Sequence, residues 1–555
     1  MNAVKVQAIV EESPISTLNV STEANDTRDL ARGAGVNYLG YLLRLSARAP
    51  FLFLAGLLYG ETRFGRYTFA IALVETLAAL AVFGLKGSIF KFMEPTFRHR
   101  LRASLSDVVA SALALALGLS LIFMGALGLV LGTLLYFGQG TELLATLFML
   151  MPVIPFIVMA DVLLSATRYR RIMRYEVTAR SILEPLMLTL STLAFYFLGW
   201  HEYGLVGAYF VSLMVAGLSS LYFYGRVYSV RALLTTRIHS GLLREIFRFS
   251  APTAMFEAMK FVFTRVDIFI VTLLCPVHLV GIYGMAVQLS TLVKKVRQGF
   301  DSMLGPVVAQ GLAREDHEQV HAHLATVARW IATVQVPFLL FMLFFGPHVL
   351  AFLGKGFASG AWILVFLVAA DLINGSLGVS EWPVIFLRPS LNPLLTGATL
   401  FLYVGLGTFF VSQWGPAGAA LALLVVYMAL NGIRMLVNYR MFHISGLRLS
   451  YLKPILAGFI TGGVIYGFVR FIHLAPVPQI LMGTVVLLTI YGMILLLMGL
   501  EPEDRYVYER LKRKLRRSVG PMPSFESPIV NQPEPESFVI WHHFDATESS
   551  PAPEA

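Results

Sequence analysis

Four polar side chains share one face of an apolar helix near the start of the chain. Asn37, Tyr41, Arg44 and Arg48 fall at i, i+4, i+7 and i+11 of a segment, 35–59, that is long and apolar enough to cross a membrane. A charge at mid-bilayer costs about 2.5–3.5 kcal/mol on insertion scales, so two arginines one turn apart call for a use. Guanidinium groups are the side chains best shaped to hold phosphate oxygens in pairs. The stripe reads as an anion-binding wall, unless Arg44 and Arg48 snorkel or pair with acids such as Glu75 or Glu257.

The stripe returns 216 residues later as Thr253, Glu257, Lys260 and Thr264, and Asp267 extends it. Lys260 takes the place of Arg44. In the next span Lys295 shares a face with Gln288, Thr291 and Gln298. Arg44, Arg48, Lys260 and Lys295 could thus ring one anionic group, with Asn37, Tyr41 and the nearby amides and hydroxyls meeting hydroxylated parts of the same molecule. Arg265 lies off the stripe and reads as structural; Lys294 and Arg297 read as anchors at a span end. Acids inside spans are Glu75, Asp161, Glu184, Glu257, Asp267, Asp371 and Glu381. A buried carboxylate with a raised pKa can carry a proton, or it can pair with a neighbouring cation. Glu257, Asp267 and Glu75 are the candidates for ion coupling.

The elements that must position these residues are membrane helices. The 555 residues are 57% hydrophobic and only 14% charged, with mean hydropathy +0.70, against about 25% charged in a soluble domain. The reading is an all-α polytopic membrane protein of about fourteen spans: 35–59, 65–87, 105–135, 143–165, 178–199, 204–225, 250–274, 280–304, 326–353, 361–387, 391–413, 417–438, 451–472 and 478–499. The net charge of +10 sits in loops at the even-numbered ends, among them Arg98, Arg100, Arg168, Arg170, Arg171, Arg244, Arg248, Arg440 and Arg448, while the opposite loops hold Arg63, Arg66, Lys355 and little else. This is the positive-inside pattern; it places both termini in the cytoplasm and makes nucleic acid an unneeded explanation for the charge. A lone cysteine, Cys275, excludes an internal disulfide. No P-loop is present, and His317, His321 and His323 read as a solvated loop rather than a metal site. No cofactor is expected.

The repeat covers more than the stripe. Gly65-Arg66-Tyr67 and Ala70 open the second span as Gly281-Ile282-Tyr283 and Ala286 open the eighth. Gly204-Leu205-Val206-Gly207-Ala208 opens the sixth as Gly415-Pro416-Ala417-Gly418-Ala419 opens the twelfth. Six spans per repeat keep the orientation, so the halves relate by an axis along the membrane normal, and a site is expected between them. The organisation is then a tail (1–32), a six-helix lobe (33–225), a linker that can carry an interfacial helix (226–249), a second lobe (250–438), two extra helices (439–500), a basic amphipathic segment (501–517) and a second tail (518–555).

The opening RGAGVNYLGYLLRLSARAPFLFLAGLLYGETRFGRYTFAIALVETLAALAVFGL resembles the first two spans of Wzx-type polysaccharide flippases, in the multidrug/oligosaccharidyl-lipid/polysaccharide exporter superfamily. The shared signals are the polar first span, the loop ending in Phe64-Gly65-Arg66-Tyr67 and the Gly84-Leu85 close of the second span, within a fourteen-span pattern over about residues 33–500. The resemblance implies a flippase in a bacterial cytoplasmic membrane that moves an undecaprenyl-diphosphate oligosaccharide by alternating access. The partners it implies are the lipid-linked glycan, the bilayer and a polysaccharide polymerase machinery. A cation-coupled drug exporter of the same superfamily is the alternative; short external loops count against a membrane glycan polymerase or ligase.

Overall fold

The computed structural model describes residues 19–505 apart from 102, 139–140, 237, 239, 473–474 and 500; side chains are described from Arg48 onward, again without 101 and 302. The described residues up to Gly499 form one compact unit. Every described element is helical. The first helix reaches back to Asn19, into the segment read as a tail. The side chains of Asn37, Tyr41 and Arg44, residues 506–517 of the basic segment and the tail 518–555 lie outside the described residues.

Among the described residues, eleven helical stretches are long and apolar enough to cross a membrane, against the fourteen spans expected. The difference has physical causes. Predicted spans one and two run together in the Asn19–Val82 helix, divided at Gly60, whose φ of 74° and ψ of 178° suit only a residue without a Cβ. Predicted span five is split into Val177–Leu183, a π-helix, and Glu184–Phe197. Predicted span seven is split into Ser240–Phe263 and Val266–Leu274. The linker carries the short helix Val230–Thr235, and the long helix that follows begins at Ser240, well before the predicted edge of its span.

The repeat leaves a reciprocal contact in the core. A Cβ added at Gly65 would lie 2.0 Å from the Val277 carbonyl oxygen and 2.9 Å from the Gly281 nitrogen; one added at Gly281 would lie 1.9 Å from the Glu61 carbonyl oxygen and 2.9 Å from the Gly65 nitrogen. Each pair is related by the 216-residue offset. Residue i meets j where j meets i, which is how a two-fold axis appears in an interface. The last two long helices, Leu452–Phe471 and Pro476–Leu497, pack on the His317–Leu353 helix through Val336, Leu340, Phe345, Ile465, Leu487 and Tyr491.

Candidate functional site

A cavity of about 390 Å³ opens beside the Asn19–Val82 helix, lined by four cations, Arg48, Lys86, Arg180 and Arg265, and four carboxylates, Glu75, Asp161, Glu176 and Glu184. Two of the cations arrive through irregular backbone. Pro185 has no N–H to give, and its ring crowds the carbonyl one turn back at Ser181. The chain there widens into the π-helix Val177–Leu183, which presents Arg180 and Ser181 to the cavity. π-turns inside helices are frequent at functional sites. Arg265 sits at the break between the Ser240–Phe263 and Val266–Leu274 helices. Irregular backbone at membrane depth is tolerated only where it is buried in protein or lines a cavity.

Most of the charge is internally matched. Asp161 lies between Lys86 Nζ (2.8 Å) and Arg180 Nη2 (2.6 Å), and Arg180 Nη1 also reaches Glu184 at 3.1 Å. Arg265 Nη2 meets Glu75 Oε2 at 2.5 Å, while the Tyr209 hydroxyl donates to Glu75 Oε1 at 2.8 Å. This ion pair joins the two repeats, since its members are 190 residues apart. Arg48 differs: its buried Nε has no hydrogen-bond partner, in a cavity lined by acids.

The second half holds a different set of charges. The 3-10 segment Leu377–Ser380 interrupts a span and frees backbone carbonyls. Arg297 donates to the carbonyls of Asn374 (2.8 Å) and Gly378 (3.1 Å), and Asn438 donates to that of Ser380 (2.7 Å). Glu381 ties this region together, 3.2 Å from Arg297 and 3.4 Å from Arg434. Arg434, only 3% exposed, donates to Asn392 Oδ1 at 2.7 Å. Lys294 Nζ lies 3.6 Å from the buried Asp371.

Of the residues expected from sequence to bind an anion, Arg48 lines the cavity. Lys260 is exposed, with its Nζ 5.4 Å from the Phe256 ring, and does not line it. Lys295 is also outside it and donates to Gln298 at 3.0 Å, so that predicted face does bring the two together. Among the coupling candidates, Glu75 lines the cavity and Glu257 is exposed elsewhere. Asp267 does not line this cavity: the helix breaks at Thr264–Arg265, and Asp267 is buried, where it accepts from the Tyr283 hydroxyl and the Ile268 N–H, both at 2.8 Å. Arg265, read as structural, is a cavity cation, and Lys294, read as an anchor, faces Asp371. Glu75 pairs with Arg265, not with Arg48.

At the opposite membrane face Arg66, 5% exposed, lies 2.5 Å from Glu142 and 2.6 Å from Glu202, and Arg63 also pairs with Glu202. The hydrogen bond from Arg63, then that from Arg66, holds the Glu202 carboxyl down to about 2. Both arginines on this face are therefore matched, which deepens the charge contrast between the two faces.

The described bundle is all-α, with many helices long and apolar enough to cross a membrane. It is similar to a structure described as lipid II flippase MurJ in an inward closed conformation, with TM-score 0.63, 15% identity and coverage of 84% of this chain and 98% of that one. It is also similar to an inward-facing multidrug resistance MATE family transporter of the MOP superfamily, with TM-score 0.58, 15% identity and coverage of 72% and 97%. A family profile described as polysaccharide biosynthesis protein matches residues 53–359, more than half of the chain, and the chain belongs to that family. No curated protein matches it.

Proposed function

We propose that this protein is a flippase that carries a lipid-linked oligosaccharide, joined to its lipid by a diphosphate, across a bacterial cytoplasmic membrane by alternating access of its two halves. The observation that carries the reading is the cluster of Arg48, Lys86, Arg180 and Arg265 in one cavity between helices of both repeats, in a chain of the polysaccharide biosynthesis family. Arg48 offers a buried Nε with no hydrogen-bond partner among the described residues. A diphosphate entering the cavity competes with Glu75 for Arg265. Breaking that pair frees a link between the halves, so binding and movement are coupled at one residue. The glycan is met by Tyr209, Ser181 and the acids, and the lipid tail stays in the bilayer.

A cation exporter of the MATE type shares the fold, and it would use the cavity acids. Glu75, Asp161 and Glu184 are each already matched by a cation here, which favours an anionic cargo. The test is translocation of an undecaprenyl-diphosphate oligosaccharide in proteoliposomes. Arg48→Ala and Arg265→Ala are expected to stop it while the protein still inserts. Full transport by both variants, or transport of a cationic dye instead, overturns the reading.

A further inference from the structure

A second cavity, of about 540 Å³, lies at the arginine-rich face, where the helices that close the second span meet the helix that opens the seventh. Its floor is aromatic. Phe92 packs edge-on against Phe97 and Phe249, with ring centroids 5.3 and 5.4 Å away. Lys91 Nζ stands 3.9 Å from the centroid of Phe249 and 5.1 Å from that of Phe97. Its rim is cationic. Arg244 and Arg248 lie one turn apart on the same helix, both exposed, and neither has an ion-pair or hydrogen-bond partner among the described residues. Like charges at i and i+4 repel. Glu245 lines the same cavity yet pairs with neither. Two arginines and Lys91 thus stand around an aromatic pocket whose one lining acid, Glu245, has no ion pair with any of them among the described residues.

The setting decides what the missing anion is. The predicted span begins at about residue 250, so Arg244 and Arg248 stand at the membrane surface. On the same helix Phe247 and Phe249 are exposed apolar side chains, 43% and 39% accessible. Basic and apolar side chains interleaved at that depth suit a molecule with an anionic head and acyl chains. A soluble phosphate would use the arginines and leave the rings idle. We infer that this cavity binds the headgroup of an anionic phospholipid, with Arg244 and Arg248 on the phosphate and the phenylalanines against the glycerol and upper acyl region. The Phe83–Phe247 stack, 4.7 Å between centroids, and the 2.7 Å Ser88–Ser250 hydrogen bond join the same two elements, so a bound lipid also braces the contact between the repeats at this face.

The site is independent of the transported cargo, and its test contains no glycan lipid. The full chain is placed in phosphatidylcholine nanodiscs with and without phosphatidylglycerol, and the unfolding temperature and retained lipid are measured by thermal melt and native mass spectrometry. Phosphatidylglycerol is expected to raise the unfolding temperature of the parent. The Arg244→Gln/Arg248→Gln double variant is expected to bind it about thirtyfold more weakly, roughly fivefold per arginine, with an unchanged melt in pure phosphatidylcholine. Arg226→Gln/Arg231→Gln, in the same linker but outside the cavity, is expected to keep the parent's response. The assignment is overturned if the first double variant retains the response, if the second loses as much, or if soluble glycerol phosphate reproduces the shift. Should the double variant not fold, Phe249→Ala takes its place, and full phosphatidylglycerol response there overturns the aromatic part of the site.

Discussion

The two halves of this molecule spend their buried charge differently. In the first half, Arg48, Lys86 and Arg180 line a cavity, and the acids that pair with Lys86 and Arg180 line it too. In the second half, Arg297 and Arg434 point into protein, and Arg297 serves backbone carbonyls that a 3-10 turn has released. Helical irregularity is present in both. Where it faces a cavity it presents a cation to open space; where it faces protein its freed carbonyls are met from within. Sequence similarity between repeats therefore does not carry similarity of surroundings, and the proposed cargo site belongs to the lobe whose charges line open space.

That contrast can be broken by four measurements. The largest effect is expected at Arg434. Its replacement by Ala leaves Glu381 and Asn392 short of a buried partner, and about 3–5 kcal/mol of stability is expected to be lost in denaturant unfolding. If the melt is unmoved, the second-half network is not structural. Next comes Arg48→Ala, expected to cost about 1.5–3 kcal/mol of cargo binding, or roughly 10- to 100-fold, with stability held within about 0.5 kcal/mol; a large stability loss there would erase the distinction. Gly65→Ala and Gly281→Ala each force a methyl group onto a carbonyl of the other repeat. Each is expected to destabilise by about 1–3 kcal/mol, and by similar amounts, since the contacts are reciprocal. A marked inequality would show that the axis is not respected in energy.

The smallest effect is expected at Glu202. Its carboxyl is held below the ordinary value of 4.5, at about 2, by Arg63 and Arg66. A depressed carboxylate contributes stability that is fully present above the unfolded value and is lost as pH falls through the folded one. The clamp is therefore complete above about pH 5 and fades between there and about pH 2. Because Glu202 is partly exposed, Glu202→Gln is expected to remove less than about 1 kcal/mol, and to flatten the pH dependence of the melt over that window.

How much of this was legible in sequence depends on what kind of signal each residue sends. Hydropathy placed the helices and flagged Glu75, Asp161 and Glu184, because a charge in an apolar run is conspicuous wherever it points. The 216-residue offset brought Gly65 and Gly281 into register before any contact between them was known. Partners were another matter: Arg180 lies 19 residues from Asp161 and Arg265 lies 190 from Glu75, and helical periodicity relates only residues a few turns apart. The place of Arg265 on the cavity wall is not legible from periodicity, because no proline or glycine marks the helix break at Thr264. Pro185 was a usable signal for the π-helix that carries Arg180, since a proline inside a span must disturb the turn before it. The polar stripe itself remains half seen, with Arg48 in the cavity and Lys260 away from it.

The Gly65–Gly281 contact has a consequence for inheritance. A patch that meets its own copy is what two identical chains form when they pair, with one glycine facing itself across the axis. Once two such copies are joined in a single chain, that one position becomes two, and they can no longer drift separately: a side chain gained at either is felt by the backbone of the other. The pair is thus a record of duplication kept by steric exclusion, legible after most of the surrounding identity has been lost.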